Sequence, residues 1–409
     1  MKKDIILYVG NFMFPDKNAT SQRILGNANI FKDLGYKVIL LGASKDVVVN
    51  DNIFSTKQEG YGFTSYMLPY PQNSKGWISY KQQFFRLEKL IGDLEVISRV
   101  SAVVIYGSPS LSLMGGLVRK WCILNNIAFI TDCVDWIPAN RGNYIFRIIK
   151  WFDTTYQIRY LNTKADGVIA VSKFFTTYYK KRGCTVITLP PLTDTQQVKF
   201  QYDVKIDLEY KKTKLIYVGT PFSLDNKRNN KGKYKDRLDK VIYLLNELKK
   251  EGIEFEFNIY GLNLDQYLNS IPEHKDILEE CKKNIIFNGS VSHMEAIKKI
   301  QESDFSILLR DNNKMTMAGF PTKFVESISC GTPVLTNKTS DLDQYLVDNK
   351  NGFWLTNDND EKTLEELKVI LNLSKDKIKE MKEECKRSEM FDYRNYKEAL
   401  NNFLQQLSN

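Results

Sequence analysis

The sequence predicts an α/β chain made of two doubly wound halves with parallel sheets, and three observations predict it. Short apolar segments alternate with longer amphipathic ones up to about residue 190. A Pro-Pro pair within "VITLPPLTD" (186–194) then interrupts the pattern. Beyond it the alternation restarts and continues to a helical tail. Short buried strands separated by helices are the signature of a parallel sheet covered on both faces.

In the first half the strands are predicted over 5–10 ("IILYVG"), 37–44 ("KVILLGAS"), 102–108 ("AVVIYGS"), 128–133 ("AFITDC") and 167–172 ("GVIAVS"). Amphipathic stretches such as "TSQRILGNANIFKDLG" and "LMGGLVRKWCILNN" lie between them. The polar run after Pro-Pro reads as an interdomain connection. In the second half the strands are predicted over 214–220, 256–262, 284–291, 305–310 and 332–337. From about Glu361 the tail reads as helix. The domains therefore run 1–190 and 191–390, with a terminal helix over 391–409 that returns to the first.

Composition excludes several classes. With 409 residues, 43% hydrophobic and 26% charged, the chain is an ordinary globular one. "MKKDIILYVGNFMF" has too short an apolar run, and no small-residue cleavage site, for a signal peptide, so it reads as a buried strand. No window reaches the roughly 18 apolar residues of a membrane span. Six cysteines without C-x-x-C spacing read as reduced thiols, which points to the cytoplasm.

Charge is uneven. Residues 1–200 carry 25 Lys and Arg against 14 Asp and Glu, a surplus of 11, and the remainder carries 33 against 35. A basic first half fits an anionic partner such as phospholipid, nucleic acid or a phosphorylated substrate, or simply solubility.

One stretch carries the chemistry, "MAGFPTKFVESISCGTPVLTN" (317–337). It reads as a loop, a short helix, a tight turn and a buried strand. Gly319 frees the entry, and Pro321 suits the start of the helix. A helix N-terminus offers free N–H groups to a phosphate. Arg310, ending the preceding strand, is placed to grip the same anion in bidentate fashion. A ten-residue loop is expected between them. Glu326, one turn into the helix, suits ribose or sugar hydroxyls as a pure acceptor, or else favours the helix electrostatically. In "TDCVDW" (131–136), Asp135 at a strand end is a catalytic candidate or an N-cap, while Asp132 reads as structural. "DLD" (341–343) reads as helix capping in place of a metal-binding D-x-D.

The segment 317–337 resembles the donor-binding segment of GT-B glycosyltransferases, particularly the large retaining group called family four. "YVGTPFSLDNKRNNKGKYKDRLDKVI", "IIFNGSVSHMEAIKKIQESDFSILL", "DGVIAVSKFFTTYY" and "ITLPPLTD" resemble further segments of that family in the same order. The resemblance implies two Rossmann-like domains facing across a cleft, the first on the acceptor side and the second binding a nucleotide sugar. It makes Glu326 the acid that holds the donor ribose and Lys235 the lysine that neutralises the diphosphate. Thr220 stands where the family often has arginine. Gly319, Phe320, Pro321, Thr322 and Lys323 line the diphosphate and sugar. Val291 belongs to the loop that reads the base, and Gly10 with Asn11 to the first-domain loop nearing the donor.

Two departures stand out. Ala318 occupies the place of the family's first acid, and both histidines, His274 and His293, lie in the second half, where His293 reads as a cap or packing residue. The expected activity is transfer of a hexose-type sugar, with retention, from a nucleotide diphosphate sugar to a growing glycan. Lys235, Arg310 and the helix N-terminus would stabilise the leaving phosphate, and Asp135 would serve the acceptor side. The resemblance implies a lipid-linked acceptor of capsule, exopolysaccharide or O-antigen assembly, no metal cofactor and no nucleic acid. A catalytically weak nucleotide-sugar-binding module is the alternative, and a nucleotide-sugar epimerase of similar architecture is disfavoured because this sequence shows no first-domain acid/base cluster. Finally, 142–164 interleaves Tyr144, Phe146, Ile149 and Trp151 with Arg147, Lys150 and Arg159. That pattern fits an anionic membrane surface or an ordinary helix with a core stripe.

Overall fold

The computed structural model describes residues 3–14, 19–48, 52–71, 73–107, 112–136, 144–201, 209–222 and 234–408. Parts of five expected segments fall outside them: 108, 142–143, 202–208, 223–233 and 409. The chain forms two compact units. One comprises Met1–Thr193, Ala318–Phe320 and Asp392–Asn409, and the other Asp194–Met317 and Pro321–Phe391.

The first unit holds an eight-stranded sheet in the order β3-β4-β2-β1-β5-β6-β7-β8. Its strands are β1 (Ile5–Val9), β2 (Lys37–Ser44), β3 (Gln58–Gly60), β4 (Phe63–Pro69), β5 (Val100–Tyr106), β6 (Ala128–Cys133), β7 (Gly167–Ala170) and β8 (Val186–Thr188). All pairings are parallel except the β3–β4 hairpin at the edge. Tyr61 and Gly62 close that hairpin with φ of +52° and +77°, the left-handed pair a tight hairpin turn demands. One face of the sheet packs Ile5, Leu7, Val9, Val103 and Ile105 against Leu87, Met114 and Val118 of the covering helices. The last helix, Lys397–Ser408, belongs to this unit. A side chain at Gly167 on β7 would lie 2.4 Å from the Phe403 ring, so only glycine lets the helix approach there.

Two helices of this unit run side by side. Ser112–Leu124 meets Tyr144–Tyr156 where Ser112 Oγ hydrogen-bonds the Asp153 carboxylate. The second helix continues through a π-turn, Gln157–Leu161, and Arg119 Nε donates to the Lys164 carbonyl at 2.7 Å. These two bonds, at Asp153 and Lys164, tie the two segments together.

The second unit holds a six-stranded, all-parallel sheet in the order β11-β10-β9-β12-β13-β14. These are β9 (Thr213–Val218), β10 (Phe255–Tyr260), β11 (Ile285–Phe287), β12 (Phe305–Leu308), β13 (Val334–Thr336) and β14 (Gly352–Trp354). Its core joins Leu215, Phe257, Ile307 and Leu335 of the strands to Val241, Leu245, Leu367 and Met381 of the covering helices. Three features depart from the expected elements. β3–β4, β8 and β14 are additional strands. The loop after Arg310 contains a short helix, Lys314–Ala318. Asp341 precedes a 3-10 turn, Leu342–Gln344, without a side-chain cap bond, so the expected capping is absent.

Candidate functional site

The carboxyl edge of the second sheet is glycine-lined for a physical reason. Gly219, Gly261 and Gly289 follow β9, β10 and β11 with φ of +120°, +103° and +70°. The Gly219 N–H donates to the Tyr260 carbonyl, and the Gly261 N–H to the Gly289 carbonyl, both at 2.8 Å. A Cβ on Gly261 would sit 2.8 Å from the Gly219 backbone, and one on Gly219 would sit 2.7 Å from Lys323 Cε. Side chains are excluded, so backbone and Lys323 lie close together at this edge.

Asp236 organises the charge there. It is 1% exposed and accepts from Arg310 Nε at 2.7 Å, Lys323 Nζ at 2.7 Å and the Tyr217 hydroxyl at 2.8 Å. Burial pushes its pKa upward, but the Lys323 and Arg310 charges and the hydrogen bonds outweigh burial and hold it well below the usual carboxylate range. Lys323 is pulled down, first by burial and also by Arg310, with Asp236 opposing. Its ammonium lies 5.1 Å from the Tyr217 ring centroid and its side chain keeps 19% exposure, whereas Arg310 keeps 3%. Two cations on one carboxylate leave a surplus positive charge, and Lys323 is the cation that solvent reaches.

The helix Thr322–Ser329 delivers Lys323 in its first turn. Phe324, Val325 and Ile328 are buried, which fixes one face inward and turns Glu326 outward from the core. Pro321 occupies the N-cap with φ −75°. Gly331, at φ +74°, ends the helix, its N–H donating to the Ile328 carbonyl. Glu326 Oε1 lies 3.3 Å from His293 Nε2. His293 opens the helix His293–Glu302, whose N-cap is Ser292, so it neither caps nor sits in the core; it faces Glu326.

Other predicted residues separate. Lys235 is exposed and lies outside the Asp236 hydrogen bonds, its backbone N–H donating to the Pro221 carbonyl. It is near enough to Lys323 to lower that lysine's pKa. Arg310, expected to grip an anion directly, is buried and donates through Nε to Asp236. Thr220 is exposed beyond Gly219, and Val291 is half-buried against the Ile216–Ile297–Cys330 cluster. Sequence reasoning passes over Asp236 and Tyr217. The one signal for them is a carboxylate directly beside the lysine singled out in "YKDRLD".

Gly319 and Phe320 are buried and cluster with the first unit, as does Ala318, whose carbonyl accepts from Ser172 Oγ at 2.6 Å. In that unit Gly10 follows β1, its N–H donating to the Leu41 carbonyl; a Cβ there would strike Tyr106. Asn11 Oδ1 accepts from the Tyr80 hydroxyl at 3.1 Å. Asp132 is fully buried in bonds from Arg23, Tyr8 and Asn27. Asp135 is half-buried beyond β6, beside a cavity of about 10 Å³ that includes Gly107, Thr154 and Gln157. That space has room for about one water. The residues that follow, 137–143, lie outside the described ones, so no described helix begins at Asp135.

Residues 229–388 match the family model of glycosyl transferases group 1. None of the curated proteins matches the sequence. Among solved structures, the chain is similar to a sucrose-phosphate synthase from Thermosynechococcus elongatus, with 12% identity, TM-score 0.68 and 99% of each chain covered. It is similar to Anabaena HepE in complex with UDP, with 12% identity, TM-score 0.64, and 99% of this chain and 100% of that one covered. A glycosyltransferase from Rickettsia africae gives 16% identity and TM-score 0.65 over the whole of both chains. At these identities the likeness is one of fold, and the fold is GT-B.

Proposed function

Taking the chain as a GT-B glycosyltransferase with its group 1 segment at residues 229–388, we propose that it moves a hexose-type sugar, with retention, from a nucleotide diphosphate sugar to a growing glycan. The carrying observation is the Asp236–Arg310–Lys323 cluster on a glycine-lined sheet edge, beside a helix N-terminus. The departing group in such a transfer is a diphosphate, so the chemical burden is negative charge. Lys323, already desolvated and oriented, meets that charge without reorganising. Arg310 acts through Asp236 as a positioning residue. Glu326 accepts from ribose hydroxyls while His293 holds its other side. Front-face attack follows, with the leaving phosphate taking the acceptor's proton. Side chains supply the counter-charge, so no metal is given a role. The basic first half supports a lipid-linked acceptor of capsule, exopolysaccharide or O-antigen assembly, met at the inner face of the plasma membrane. Asp135 remains the acceptor-side candidate, because Asp132 has its oxygens occupied.

UDP is a suitable probe, since a protein of the same fold is solved with UDP and with UDP-glucose. Lys323→Ala should lower sugar release on the order of a hundredfold, while Lys235→Ala changes it only slightly. Calorimetry with UDP and with uridine should show the Lys323→Ala loss for the diphosphate alone. Release at the wild-type rate by Lys323→Ala would remove the diphosphate assignment, and normal transfer by Asp135→Asn would make that residue structural. A second reading, donor binding without turnover, is favoured by buried Ala318 in place of the family acid. Binding of UDP-sugar with neither hydrolysis nor transfer would select it.

A further inference from the structure

The helix Tyr144–Tyr156 exposes what helices normally bury. Tyr144, Ile145, Ile148, Trp151 and Phe152 are 75%, 66%, 50%, 60% and 51% exposed. At about 100° per residue these five fall on one arc of about 120°. Asp153, Thr154 and Gln157, on the far side, face the unit. A side-chain hydrogen bond at Asp153 ties this helix to Ser112. Single exposed apolar residues are ordinary, but a contiguous stripe of this size marks a binding surface.

We propose that this stripe docks on an anionic lipid bilayer. Charge selects that occupant. From residue 142 to 165 the chain has Arg147, Lys150, Arg159 and Lys164, and Asp153 as its one acid. Arg147 is exposed and Lys150 half-buried. On the helical wheel Arg147 borders the Trp151 side of the stripe, whereas Lys150 lies toward the face that meets the unit. A second copy would bring the same cations against these, and repulsion would oppose pairing. A leaflet of anionic headgroups accepts the aromatic and aliphatic side chains at its interface and the cations at its surface. No helix among the described residues is long and apolar enough to cross a membrane, so the attachment is peripheral. The purpose of such docking rests on the lipid-linked acceptor proposed above; the surface itself does not.

Cosedimentation without donor or acceptor tests it. The full chain should pellet with phosphatidylglycerol vesicles at low salt, release at high salt, and stay in solution with phosphatidylcholine alone. Arg147→Glu should lower the bound fraction on the order of fivefold, and Ile148→Asn/Trp151→Ser on the order of tenfold. Both variants should keep the wild-type melting temperature and UDP affinity. No pelleting by the wild type at low salt, or equal pelleting by the variants, would overturn the proposal. So would a wild-type dimer that Ile148→Asn/Trp151→Ser dissolves, which would give the stripe to a second copy. Intact vesicle binding without sugar transfer would instead remove the enzymatic reading and leave the surface standing.

Discussion

Each unit buries one aspartate in contact with an arginine and a tyrosine from its first strand, and the two arrangements differ in a single partner. Asp132 takes Tyr8 on β1 at 2.5 Å and Arg23 at 2.6 Å; Asp236 takes Tyr217 on β9 at 2.8 Å and Arg310 at 2.7 Å. The further partner of Asp132 is neutral, Asn27 Nδ2 at 3.3 Å. That of Asp236 is the Lys323 ammonium at 2.7 Å. The first network is closed, with Arg23 and Asp132 at 3% and 0% exposure. The second is left with surplus charge on its most exposed member. A balanced, sealed ion pair holds a fold together, whereas an overcharged, half-open one invites an anion.

The comparison can be broken at its closed end. Arg23→Ala leaves Asp132 buried without its counter-charge and should destabilise the protein by about 3–5 kcal/mol, read by chemical unfolding. UDP affinity of the folded protein should stay unchanged. Stability equal to wild type would mean that Tyr8 and Asn27 suffice. At the open end the loss should be smaller. Asp236→Asn keeps an acceptor, and Lys323 can turn to water, so about 1.5–3 kcal/mol is expected at neutral pH. The pH dependence has a definite sign. The folded-state pKa of Asp236 is depressed, so its contribution is fully present above the unfolded value of about 4 and is lost as pH falls below it. The stability gap between wild type and Asp236→Asn should therefore close in acid. A gap constant down to about pH 3 would show that the carboxylate charge is not what the pair needs. The finest test concerns Glu326, outside both networks. Glu326→Ala should weaken UDP binding by about 1–3 kcal/mol. Unchanged calorimetry would return the residue to helix stabilisation.

Much of the fold is legible because buried parallel strands announce themselves as apolar runs. "IILYVG" and "KVILLGAS" need no tertiary information. β4 escapes because "FTSYMLP" mixes polar residues with a terminal proline, and β8 and β14 because three residues give no periodicity. At the site, Glu326 and Arg310 are readable from their places at a helix start and a strand end. Asp236 is not. Surrounded by Lys235, Arg237 and Asp239, it looks like part of a solvated charge run. Its meaning depends on Tyr217, Arg310 and Lys323, brought beside it from three other elements. That Lys323 lies beside Gly219 is likewise set by the fold and not by sequence order. The stripe on Tyr144–Tyr156 is visible as a pattern, but only the exposure of its residues in the fold shows that it is left uncovered.

The helix Lys397–Ser408 against Gly167 has a consequence for synthesis. The second unit draws almost all its residues from one continuous stretch, 194–391, and can assemble as that stretch leaves the ribosome. The first unit cannot finish in that order. β7 is made early, yet the Phe403 and Leu407 side chains that cover Gly167 come more than 230 residues later. Thr193 likewise waits for Asp392, its bridge partner. The domain begun first is thus completed last, after the other has formed in the middle of its sequence. During that interval the surface around Gly167 is open to water and to other chains.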